Sequence, residues 1–106
     1  MQISAPELAK LLQSATPPRL LDVREVDENR FAVIPGSVLI PLGELPNRIE
    51  EILPWQDEPM VVYCHHGVRS QRAINLLRQV GFTKLQNLSG GIEAWSNEVD
   101  PKVPRY

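Results

Sequence analysis

The chain has 106 residues, 42% of them hydrophobic and 23% charged, with a formal net charge of −2. That size fits one ordinary globular domain burying roughly 60–70% of its unfolded surface, so it needs neither metal nor disulfide to fold. Acidic and basic residues are interleaved with no Lys/Arg cluster, and the longest apolar runs stop far short of the roughly 20 residues of a bilayer span, so neither nucleic acid nor membrane is an expected partner.

The opening Met1-Gln2-Ile3-Ser4 has neither the basic end nor the apolar stretch of a secretory signal, and a cytoplasmic location is expected. Ser4-Ala5-Pro6-Glu7 reads as a capping box with a proline in the first turn. It opens a predicted helix whose Leu8, Leu11, Leu12 and Ala15 recur at helical spacing, and Thr16-Pro17-Pro18 ends it. Leu20-Leu21-Asp22-Val23 is a predicted buried strand that stops at a polar cluster. Pro35-Gly36 is a turn, and Val38-Leu39-Ile40 a short strand closed by Pro41. From about Gly43 to Leu53, Leu45, Ile49, Ile52 and Leu53 share one helical face, opposite Arg48, Glu50 and Glu51. Met60-Val61-Val62-Tyr63 is apolar on both faces, as a central parallel strand should be. Ala73, Ile74, Leu76, Leu77 and Val80 mark a helix that Gly81 ends. Lys84-Leu85-Gln86-Asn87 is a weak last strand, and Gly90-Gly91 leads into a short helix carrying Ile92 and Trp95. Strands alternating with helices imply a mostly parallel α/β sheet covered on both faces, with ligands at the carboxyl ends of its strands.

The loop Cys64-His65-His66-Gly67-Val68-Arg69-Ser70 falls at such an end, before a helix expected to start near Arg69 or Ser70. Its backbone N–H groups can point inward at the sulfur and form an anion cradle, and Gly67 gives the tight loop its backbone freedom. A helix N-terminus lowers a cysteine pKa from about 8.5, and the thiolate is the nucleophile. Cys64 could instead be one more small buried hydrophobe. A cysteine used only for packing, however, needs no Gly67, no Arg69 and no helix start behind it. It is also the only cysteine. No intramolecular disulfide can form, a reducing compartment suits it, and any sulfur cycle must take its second thiol from another molecule. A zinc site is rejected, because Cys64, His65 and His66 are contiguous and no other Cys or His exists. No cofactor is expected.

Several segments carry a family likeness: Leu20-Leu21-Asp22-Val23-Arg24-Glu25, Ile34-Pro35-Gly36-Ser37, and Val61-Val62-Tyr63-Cys64 with Gly67, Arg69 and Ser70. Gly81-Phe82 and Asn87-Leu88-Ser89-Gly90-Gly91-Ile92-Glu93-Ala94-Trp95 continue it. In this order and spacing they resemble the rhodanese-like sulfurtransferases along nearly the whole chain. The resemblance implies a five-stranded parallel sheet flanked by helices on both faces. It implies one domain over residues 1–106, with an irregular tail from about residue 99. It also implies a persulfide on Cys64, loaded by a donor such as thiosulfate and discharged to a thiophilic acceptor (cyanide, a dithiol or a protein thiol). His65, His66, Gly67, Val68, Arg69, Ser70 and Arg24 would then lie on the substrate side, with Asp22 supporting. A monomer or weak dimer is expected. The family often carries a histidine before the Ile-Pro-Gly segment, where this chain has Val33.

Related phosphatases and arsenate reductases place one residue more between the cysteine and the arginine. Here His65 to Val68 make four, a tighter ring that suits a persulfide sulfur better than a phosphoryl group. A non-catalytic docking module is the other alternative, though such modules commonly lose the cysteine. His65 and His66 are expected to shape the pocket mouth rather than act as bases. Arg69 either binds an anionic donor or holds the loop through a buried ion pair, with Asp22 the obvious partner. Asp22 is expected to anchor a loop, and Arg24 to be a substrate-side arginine or a surface charge. Gly90-Gly91 lacks the GxGxxG spacing of a dinucleotide site and reads as a tight turn. Trp55 and Trp95 read as packing residues.

Overall fold

Three strands of four residues, Arg19–Asp22 (β2), Met60–Tyr63 (β4) and Leu85–Leu88 (β5), form the middle of a sheet in the computed structural model, which describes all 106 residues. Two short strands, Gln2–Ile3 (β1) and Val38–Leu39 (β3), lie at its edges. The order is β1-β5-β4-β2-β3 and every pairing is parallel. All four residues of β4 are buried, as a strand covered on both faces requires.

Side-chain alternation divides the core into two layers. Val61 and Tyr63 face a cluster with Leu8 of α1 (Ala5–Leu12) and Ile92 and Trp95 of α5 (Gly91–Glu98). Val62 and Cys64 face the opposite cluster, with Leu45 of α3 (Leu45–Arg48) and Ala73, Ile74 and Leu77 of α4 (Val68–Gln79). Cys64 therefore continues the β4 alternation onto the α4 side of the sheet, at its carboxyl end.

The capping box at Ser4 forms, with Ser4 Oγ accepting from the Glu7 N–H at 3.2 Å. The helix it opens stops at Leu12, three residues before Ala15, where the Ser14 hydroxyl donates to the Leu11 carbonyl at 2.6 Å. The helix predicted over Gly43–Leu53 is broken into 3-10 turns at Leu42–Glu44 and Ile49–Glu51 around the single turn α3, with a further 3-10 turn at Leu53–Trp55. Its apolar face nevertheless packs, with Leu45 and Ile52 fully buried. One helix was not predicted: the polar cluster after β2 forms α2, Val26–Phe31. The α4 helix also begins earlier than expected, at Val68.

Candidate active site

Strand β4 delivers Cys64 to the carboxyl end of the sheet, and α4 begins four residues later with its positive end toward the sulfur. Gly67 adopts φ +115°, a conformation L side chains rarely hold, and this turns its N–H onto Sγ at 3.0 Å. The Ser70 N–H and Oγ each lie 3.4 Å from Sγ. Burial pushes the Cys64 thiol up; against it act the Ser70 hydroxyl and N–H and the Gly67 and His66 N–H groups. The balance holds the thiol below its ordinary value. Ser70 has one hydroxyl proton, and Asn87 Oδ1 at 2.5 Å is the nearer acceptor. The backbone amides are thus the standing donors to sulfur.

Neighbouring elements fix this loop from below. Asn87, buried at the end of β5, donates from Nδ2 to the Gly67 carbonyl at 3.0 Å. The first turn of α5 binds the loop's carbonyls, Ile92 N–H to Cys64 at 2.9 Å and Glu93 N–H to His65 at 3.2 Å. Gly90-Gly91 is indeed a turn into a helix, but also a close approach. A Cβ on Gly91 would collide with the carbonyls of Cys64 and His65.

The side chains around the sulfur depart from expectation in three places. Arg69 does not pair with Asp22, whose carboxylate is taken by Arg24 and Asn29; its two Nη atoms hold the Glu28 carboxylate of α2 at 2.6 and 2.8 Å. Arg24 is not a surface charge. It is fully buried, with Nε and Nη2 on the Asp22 carboxylate at 2.9 and 2.7 Å and Nη2 also on the Ala32 carbonyl at 2.6 Å. With every donor engaged, its guanidinium has none to offer a substrate. Ser70, expected on the substrate side, is itself sealed beneath Cys64. Asp22 does anchor the turn after β2, accepting from Arg24 N–H at 3.0 Å and Asn29 Nδ2 at 3.0 Å.

His65 and His66 stack on each other at 3.9 Å, and Nε2 of His65 meets Glu93 at 3.3 Å rather than the sulfur. Val68 is two-thirds exposed beside the loop. Trp95 is buried in the core as a packing residue, and Trp55 packs half-buried against the α4-side cluster.

Two contributors were not foreseen. Tyr106 stacks on His65 at 3.9 Å, accepts from Arg24 Nη1 at 2.8 Å and donates to Glu28 at 2.7 Å. Arg69, Tyr106 and the Glu25 N–H together stabilise the Glu28 carboxylate, Arg69 foremost, and hold its pKa down to about 2 against the opposing effect of burial. The Glu25/Glu28 spacing of a capping pair was the one local signal for Glu28; nothing local marked Tyr106.

A parallel α/β sheet has a central strand that ends on a lone cysteine, cradled by amides at a helix start. The chain belongs to the rhodanese-like domain family, whose model matches residues 4–98. It is 37% identical over 99% of its length to the maize adenylyltransferase and sulfurtransferase MOCS3-1, but spans about a quarter of that protein (24%). A sulfurtransferase of Allochromatium vinosum is 33% identical over 96% of this chain and 94% of its own. The fold is similar to that of the human single-domain sulfurtransferase TSTD1, with TM-score 0.78 and 31% identity over 92% of this chain and 96% of that one. These similarities support sulfur transfer in general as the family chemistry.

Proposed function

We propose that this protein is a sulfurtransferase that carries sulfane sulfur as a persulfide on Cys64. The observation that carries this reading is the set of N–H groups converging on Sγ, from Gly67 at 3.0 Å and Ser70 at 3.4 Å. The Cys64 thiolate attacks the outer sulfur of a donor such as thiosulfate. Its electron pair forms the new S–S bond, the donor's S–S bond breaks, and that pair leaves on sulfite. A thiophilic acceptor (cyanide, a dithiol or a protein thiol) then takes the outer sulfur and returns the thiolate. The same amides that stabilise the thiolate can stabilise the persulfide anion, so both resting forms share one cradle. His65, His66, Gly67 and Val68 line the approach. A free thiol that cycles with thiol acceptors suits a reducing compartment, and for that reason we assign the reaction to the cytoplasm.

Arg69 turned onto Glu28 favours this chemistry over phosphate transfer, since the arginine of the loop itself is already paired. The wild-type protein should turn over thiosulfate with cyanide or dithiothreitol and leave p-nitrophenyl phosphate essentially unhydrolysed. Cys64→Ser should abolish the transfer. Equal turnover by Cys64→Ser, or brisk phosphatase activity in the wild type, would overturn the assignment.

A further inference from the structure

The rim around Cys64 carries two arginines, and neither has an uncommitted charge. Arg69 is bound bidentately by Glu28, and Arg24 by Asp22. Glu28 accepts from Arg69, from the Tyr106 hydroxyl at 2.7 Å and from the Glu25 N–H at 3.0 Å, so its carboxylate is fully committed to these partners. The other ionisable groups are His65, whose Nε2 meets Glu93, and His66, stacked on His65. Arg72 makes no ion pair and lines a groove beside the loop with His66, Gly67 and Val68. Arg69 is nevertheless close enough to Cys64 for a thiolate there to help raise its pKa, behind the larger effect of Glu28.

We infer that Glu28 is a specificity-determining residue: by neutralising Arg69 it sets the pocket to take sulfur from a persulfide of low charge in preference to a dianion such as thiosulfate. The inference rests on the sulfur-transfer reading of Cys64. In the reaction Cys64–S⁻ and R–S–SH give Cys64–S–SH and R–S⁻. The thiolate's pair forms the new S–S bond, the donor's S–S bond breaks with its pair leaving on R–S⁻, and the proton stays on the transferred sulfur. That exchange brings no extra charge to the transferred atom. With thiosulfate, the thiolate's charge and both donor charges must share a site where the charge of the loop's own arginine, Arg69, is already taken up by Glu28. A free Arg69 would supply the missing counter-charge; Glu28 removes it. Glu28 acts through Arg69 and is a positioning residue, not a catalytic one.

The test compares kcat/KM for thiosulfate and for cysteine persulfide on the wild type, Glu28→Gln and Glu28→Gln/Arg69→Met. The wild type should favour cysteine persulfide. Glu28→Gln should raise the thiosulfate-to-persulfide ratio about tenfold, the scale of one charge-assisted contact, with the gain in the thiosulfate KM. That gained affinity should weaken as salt is added, and the double variant should lose it. A wild type that prefers thiosulfate, or a ratio unmoved by Glu28→Gln, overturns the role of Glu28. Should Glu28→Gln not fold, the wild type alone decides. Its thiosulfate KM should hold steady or fall with added salt, and a KM that rises with salt would reveal an attracting cation and overturn the inference. Failure of both donors to load Cys64 would instead overturn the sulfur-transfer reading beneath it.

Discussion

At Cys64 two local forces oppose each other. The sulfur is almost fully buried, which favours the neutral thiol, while amide groups of the following loop converge on it and favour the anion. The histidines beside it contribute a backbone N–H from His66, and their imidazoles point elsewhere. Alkylation rate against pH should therefore show Cys64 titrating below the free-cysteine value of about 8.5. His65→Ala and His66→Ala should shift that midpoint less than Gly67→Val. A Cβ on Gly67 meets only ordinary contacts, the nearest at 3.7 Å, so the valine acts by forcing the backbone away from φ +115° and turning the N–H off the sulfur. A larger shift from either histidine would point to a histidine–cysteine ion pair. Cys64, Gly67 and the cradle were legible in the sequence because all lie within a few residues. The Arg69 partner was not, since Glu28 is 41 residues away and a short helix had to form first.

Among the elements, α5 is a second support for the Cys64 loop, and Gly91 is where it touches. Its φ of +61° and the carbonyls of Cys64 and His65 packed against its α-carbon leave no room for a methyl group. Gly91→Ala should destabilise the fold by at least about 1–3 kcal/mol, the range for backbone strain alone, measured by urea unfolding. A loss under about 0.5 kcal/mol, the level of a neutral surface change, would show that α5 does not brace the loop. The plainest elements in the sequence carry a strong buried pattern: β4 is apolar throughout, and α4 buries Ala73, Ile74 and Leu77 along one stripe. The missed α2 buries none of its residues, so it offered no period to read. The predicted helix at Gly43–Leu53 put Leu45 and Ile52 on the buried side, where the structure has them, but its backbone is broken into short turns and Leu53 stands exposed.

Over the whole molecule, the sheet order sets β2, β4 and β5 side by side, and their carboxyl ends bring Asp22, Cys64 and the Asn87 turn to one rim. The chain after α5 returns to that rim. Val103 is buried against the α1 and α5 layer, the Ser96 hydroxyl donates to its carbonyl at 2.8 Å, and Arg105 donates to Asn97 at 2.6 Å. Tyr106 is thereby laid over His65, with Phe31 edge-on to its ring at 5.9 Å. This closure joins residues 78 positions apart, Glu28 and Tyr106, and no sequence pattern announces it. It surrounds the sulfur of the only cysteine, on which the proposed persulfide rests. Intact mass after brief incubation with a sulfane-sulfur donor, thiosulfate or cysteine persulfide, tests that most directly. The wild type should gain the mass of one sulfur atom, lose it on adding cyanide or dithiothreitol, and gain nothing as Cys64→Ser. An unchanged wild-type mass with both donors, or the same gain in Cys64→Ser, would contradict a persulfide carried on Cys64.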